Sequence, residues 1–216
     1  MLKSKNIRQS IWVETFLFLV GLVIFSCFLH NNIYFVICSI IGLLIIILII
    51  SIKIQSFKDF QYLFDIYLPS KNNIYYLIIG SLVGVLFGLI CRDYLKINIL
   101  PTRLTYFAII APLIGATEEL IFRGFLQKRL RQIGIVSSII FASLFHTTYK
   151  LVFFLSRQSY SEINLLFLIK RTFLVGIIFG IIKEYSKNSL SPICGHAVFD
   201  IFVYGDRSVI AWWVWT

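Results

Sequence analysis

Charge is scarce in this chain. Of its 216 residues only 14% are charged, ten are acidic and three are histidine, while 59% are hydrophobic. That balance excludes a soluble domain of this size, because a water-facing exterior would have almost nothing polar to present. Cysteine is equally thin. Cys27, Cys38, Cys91 and Cys194 stand singly within or beside apolar segments, with no CxxC or other ligand spacing. This excludes a disulfide framework and a thiolate metal site, and leaves the four as small packing residues. There is no internal repeat and no low-complexity linker, so a single membrane domain is expected. The chain also lacks a glycine-rich RNA motif and any interleaving of basic with aromatic residues. Its formal charge of +10 therefore points to basic loops near anionic headgroups, and no nucleic-acid partner is expected.

What the chain has in abundance is long apolar runs. Segments near 11–29, 34–52, 74–91, 104–122, 135–155, 165–183 and 189–205 each approach the roughly 20 residues that carry a helix across a ~30 Å hydrocarbon core. The expected fold is all-α, a polytopic membrane protein of about seven transmembrane helices. The first run follows Lys3, Lys5 and Arg8. It is too long for a signal-peptide core and lacks a small-residue cleavage site after it, so it reads as a retained span. With the N-terminus inside, twelve basic residues fall on that side and eight on the other, which favours an N-inside orientation. Residues 55–73 are aromatic and amphipathic and read as a short interfacial helix ahead of Pro69. The tryptophan-rich tail reads as an interfacial anchor.

Against this background the stretch Gly115–Gly124, GATEELIFRG, is out of place. On a helix Glu119 and Arg123 stand at i and i+4, in the order that favours an ion pair. Glu118 is rotated by about 100° and cannot share that pairing equally. The two carboxylates thus have different surroundings, and the one that faces a cavity is suited to act as a general base. Pro112 and Gly115 make a local break plausible just upstream. All three charges could equally cap a helix at the interface. The histidines shift that balance. His146 sits on an apolar helical stretch, and His196 is followed four residues later, on the same face, by Asp200. Ionisable residues inside spans are rare and usually face a functional interior, and here three separate segments contribute them.

The set resembles a family. EELIFRGFLQKRL is similar to the E-E-x-x-x-R signature of the CAAX protease and bacteriocin-processing (CPBP) family of intramembrane glutamic endopeptidases. FGIIKEYSKNSLSPICGHAVFDIFVY resembles that family's last block, where histidine is followed four residues on by Asn or Asp. The middle block usually reads F-x-x-x-H, whereas here Ala142 stands four before His146 and Phe141 five before. The resemblance covers about residues 104–205. It implies N-terminal transmembrane helices and an interfacial segment over 1–103, a catalytic core over 104–205 with a conical cavity, and a short tail over 206–216.

By matching position, the resemblance implies that Glu118 activates water, that His146 helps to hold it, and that His196 and Asp200 line the oxyanion side. Glu119 and Arg123 would be the supporting pair. An ionised Asp200 offers no donor to an oxyanion, so it must be protonated or must orient His196. Glu118, His146 and His196 could also hold zinc. No HExxH is present and the family is described as metal-free, so no cofactor is expected. The implied partners are a membrane-associated peptide or protein substrate and the bilayer. Heavy Ile, Lys and Asn usage suggests a bacterial cytoplasmic membrane. A catalytically silent relative, acting as a bacteriocin-immunity or scaffold protein, is the alternative; loss of a motif residue would mark it, and none of the six is lost. A transporter built on the same carboxylates would show repeat symmetry, which is not visible.

Overall fold

A computed structural model describes residues 2–28, 33–68, 70–155 and 164–207. Among these residues the chain is all-α, with no strand. The helices are α1 (Leu2–Phe28), α2 (Ile33–Ser51), α3 (Phe57–Phe64), α4 (Lys71–Tyr94), α5 (Phe107–Glu119), α6 (Lys128–Leu130), α7 (Ile135–Leu155), α8 (Leu165–Ser186) and α9 (Leu190–Tyr204). Four segments are long and apolar enough to cross a membrane: Ser10–Phe28, Asn73–Tyr94, Ile135–Leu155 and Leu165–Ser186. Val36–Ser51 and Leu190–Tyr204 are apolar but shorter. The expected run 104–122 is α-helical only to Glu119 and then widens into a π-helix over Leu120–Gln127. The tail from residue 208 and Pro69 lie outside the described residues.

The chain divides into two compact units. One comprises Met1–Leu63 and Leu126–Ile177, the other Phe64–Phe125 and Ile178–Thr216. The expected core segment 104–205 therefore contributes to both.

In the first unit α1 and α2 run antiparallel. Gly21 and Gly42 let their backbones approach, since a Cβ on Gly42 would come within 2.6 Å of the Gly21 carbonyl. Small residues serve this purpose between membrane helices, where close packing replaces the hydrophobic effect. Ser39 adds a hydrogen bond to the Phe25 carbonyl at 3.3 Å. Trp12 of α1 meets Phe141 of α7 edge-on, ring centroids 5.7 Å apart, while Ala142 is fully buried. The altered middle block thus turns its phenylalanine toward α1. Within the segment 55–73, Phe57–Phe64 is helical, opened by a reciprocal cap. Ser56 Oγ donates to Asp59 Oδ2 at 2.8 Å, and Asp59 N–H donates to Ser56 Oγ at 3.2 Å. The Ser56 hydroxyl and the Gln55 N–H, both donating to it, hold the Asp59 carboxyl below its ordinary range.

In the second unit α4 and α9 lie parallel and unusually close. Gly80, Gly84 and Gly88 of α4 face Ser191, Gly195 and Phe202 of α9, and a Cβ on Gly84 would overlap the Gly195 carbonyl. The spacing of four residues repeats the small-xxx-small pattern on both helices. α5 returns antiparallel against α9, tied at its start by Thr105 N–H to the Gly205 carbonyl at 2.7 Å. Cys91, Phe107, Val203 and Tyr204 form the apolar cluster at that end. All four cysteines are free.

Both ends of α9 are tied by polar contacts. Just before its start, Ser189 Oγ donates to the Phe64 carbonyl at 2.6 Å and Asn188 Nδ2 donates to the Tyr67 carbonyl at 2.8 Å, while Lys183 Nζ, near the end of α8, meets Asp65 Oδ2 at 2.8 Å. At its end, the buried Arg92 guanidinium donates to the carbonyls of Asn98, Leu100 and Phe202 and to both Asp206 oxygens, at 3.2 and 2.8 Å. Arg92 and Lys183 stand at helix ends, yet both are buried. Each is satisfied by a partner far away in sequence.

Candidate active site

The site begins with a helix that changes pitch. α5 ends on Glu119, and the next eight residues form the π-helix, a rare geometry that recurs at functional sites. Glu118, Glu119 and Arg123 are all buried. Arg123 Nε lies 3.4 Å from Glu119 Oε2, so the arginine stands by the second glutamate, at the i, i+4 position. Gly124 follows against Phe64, where a Cβ would come within 3.0 Å of the Phe64 carbonyl.

α9 supplies the other half. His196 and Asp200 are buried and share one face, one turn apart. The imidazole is bracketed. Its Nδ1 is 3.0 Å from Glu119 Oε1, while Nε2 is 3.9 Å from Glu118 Oε2 and 3.8 Å from Asp200 Oδ1. An ionised Glu119 can only accept, so it fixes the proton on Nδ1. Nε2 then faces the remaining two carboxylates at distances longer than a hydrogen bond. Phe179 and Phe199 flank the ring at 6.4 and 6.1 Å between centroids.

One small residue permits this meeting. A Cβ on Gly115 would overlap Asp200 Oδ2 and stand 2.8 Å from His196 Cδ2. Gly115 therefore acts by close approach of α5 to α9, whereas the sequence suggested only a break in the helix. The glycines of α4 contribute in the same way at one remove, since they set how near α9 can come. Their spacing, Gly80-x3-Gly84-x3-Gly88, was visible in the sequence and is the signal that could have found them.

Five of the six predicted residues thus belong to the second unit and meet there: Glu118, Glu119, Arg123, His196 and Asp200. His146 belongs to the first unit. It is buried on α7 between Ser143 and Tyr149, with Lys150 buried one turn further on. Of the zinc set named above, Glu118 and His196 face one another. Among the described residues no group of three His, Cys, Asp or Glu side chains is arranged to hold a metal ion.

Chemically, the second unit offers a carboxylate (Glu118) beside an imidazole whose tautomer is fixed by another carboxylate, itself beside a guanidinium. Such a set can take a proton from water, hold it and return it. Comparison with known proteins bears on what it is for. Residues 99–202 match the family model described as type II CAAX prenyl endopeptidase, Rce1-like, and that segment contains all six predicted residues. No curated protein and no solved structure matches the chain. Through residues 99–202, the chain belongs to the CAAX protease and bacteriocin-processing family.

Proposed function

We propose that the protein is an intramembrane endopeptidase that hydrolyses a peptide bond of a membrane-associated peptide or protein, with water activated by Glu118. Glu118 removes a proton as the water oxygen attacks the scissile carbonyl carbon. The C–N bond then breaks, and the proton passes to the departing amine. Glu119, beside Arg123, serves as a fixed acceptor for His196 rather than as the base. The family resemblance, rather than a contact in the structure, assigns His146 a part in holding the attacking water. His196 and Asp200 line the oxyanion side; because Nδ1–H is turned to Glu119, Nε2 donates to an oxyanion only when the ring carries both protons. An ionised Asp200 only accepts, so its part is to orient His196 unless it is itself protonated.

The observation that best supports this reading is the bracketed imidazole: Glu119 at 3.0 Å on one ring nitrogen and Glu118 at 3.9 Å on the other, all three side chains buried. Burial of so many ionisable groups is costly unless they act together. The seven apolar segments are taken as seven crossings around a conical cavity in a bacterial cytoplasmic membrane, and the reaction as one that needs no metal.

The test is cleavage of a tethered peptide library in liposomes, with prenylated and unmodified members, by wild type and by Glu118→Gln, His146→Ala and His196→Ala. Wild type is expected to cut in the presence of a chelator, with Glu118→Gln reduced by about 10³-fold, within the range for losing a general base. Loss of wild-type activity on chelation would replace direct activation by metal-assisted hydrolysis. Activity retained in Glu118→Gln would remove the glutamate from its role.

A further inference from the structure

A second charged cluster lies in the first unit, apart from the proposed chemistry and independent of it. Glu14 stands one turn inside the apolar segment Ser10–Phe28, where a carboxylate is expensive. Two cations meet the same oxygen of it: Arg129 Nη2 at 2.8 Å and Lys53 Nζ at 3.2 Å from Oε2. One carboxylate cannot neutralise both, so the cluster keeps a net positive charge.

The two cations are neither solvated nor fully enclosed. Their side chains are 30% and 26% exposed, against 80% for Lys96 in its surface pair with Asp93. Within this half-open cluster Arg129 Nε is buried without a hydrogen-bond partner, as is Glu14 Oε1. A partly exposed guanidinium next to a partly exposed lysine suits the oxygens of a phosphate.

The surroundings say which phosphate. Val13 and Leu17, which flank Glu14 on α1, and Ile52 beside Lys53 are exposed large apolar side chains, Val13 at 53% and Ile52 at 70%. They give acyl chains a surface next to the cations. A free anion would have no use for that surface. Basic pockets at the ends of membrane helices take up anionic headgroups in this way.

We propose that Lys53 and Arg129, held together by Glu14, form a site for the headgroup phosphate of an anionic phospholipid. The lipid's acyl chains lie along the exposed face of α1. Glu14 sets the strength of the site: it gathers the two cations and at the same time lowers their net charge.

The full-length protein, reconstituted in vesicles of equal phosphatidylglycerol and phosphatidylcholine, extracted gently and weighed by native mass spectrometry, tests this. Wild type should retain phosphatidylglycerol over phosphatidylcholine by about fivefold or more. Lys53→Gln should lower that ratio toward one, and Glu14→Gln, nearly isosteric, should raise it. Opposite signs from two variants of one cluster cannot come from misfolding. Equal retention of the two lipids in wild type, or a ratio unmoved by both variants, would overturn the proposal. So would displacement of the retained lipid by millimolar inorganic phosphate, which would assign the cations to a free anion.

Discussion

Two helix pairs use the same packing device and do different things with it. α1 and α2 approach through Gly21 and Gly42, and α4 and α9 approach through Gly80, Gly84, Gly88 and Gly195. In the first pair the contact is apolar, helped by one serine hydrogen bond. In the second, the start of α9 is tied by Ser189 and Asn188 to the carbonyls of Phe64 and Tyr67 and its end by the buried Arg92, which donates to the Phe202 carbonyl and to Asp206, and between them it carries His196 and Asp200. A glycine contact alone holds helices together, but it leaves them free to slide. Pinning both ends removes that freedom, and a histidine poised between three carboxylates requires its removal, since a small axial shift would lose the 3.0 Å contact to Glu119.

Asp206→Ala should do most harm, because it leaves the Arg92 guanidinium buried without its counter-charge. A loss of about 3 kcal/mol is expected, visible as a lowered midpoint in denaturant titration of the detergent-solubilised protein. Next, Gly84→Ala should cost about 2–3 kcal/mol, as its Cβ would overlap backbone that has no rotamer to yield. Gly21→Ala should cost about 1 kcal/mol or less, since its Cβ would meet its nearest neighbour at 3.0 Å. Equal losses in the two variants would show that the pairs are held alike. Ser39→Ala in the first pair should cost about 0.6 kcal/mol and leave any activity unchanged.

The smallest effect is one of pH. Hydrogen bonds from Arg92, with its charge, hold the Asp206 carboxyl below the ordinary value of 3.8. Its contribution is therefore complete above about pH 4 and is lost as pH falls through the lower folded value. The stability difference between wild type and Asp206→Asn should shrink on acidification below about pH 4, whereas Ser39→Ala should differ from wild type by the same amount throughout. A difference that stayed constant for Asp206→Asn would mean that charge does not fasten that end of α9.

Much of this was legible in the sequence, for identifiable reasons. Apolar runs mark the helices because their length is dictated by the bilayer, and α7 occupies 135–155 as its run suggests. Glu119 with Arg123 and His196 with Asp200 are local, four residues apart on helices, so spacing alone relates them. The pairing of His196 with Glu119 joins residues 77 apart and has no local signature; only the family resemblance suggested a meeting. Arg92 looks like an ordinary loop cation, because its partner Asp206 stands 114 residues on. The π-helix after Glu119 leaves no mark in hydrophobic periodicity over so short a stretch. The glycine ladder of α4 was readable and is simply ambiguous, since glycine in a membrane helix also marks kinks.

The proposed division of labour between the adjacent glutamates can be decided by one paired measurement. Turnover and unfolding midpoint would be determined in the same preparations for wild type, Glu118→Gln and Glu119→Gln. Glu118→Gln is expected to keep the wild-type midpoint while turnover falls by about 10³-fold, and Glu119→Gln to lower the midpoint by releasing Arg123 and His196. Turnover in Glu118→Gln within about tenfold of wild type, with Glu119→Gln inactive yet equally stable, would contradict it and transfer the role of base to Glu119.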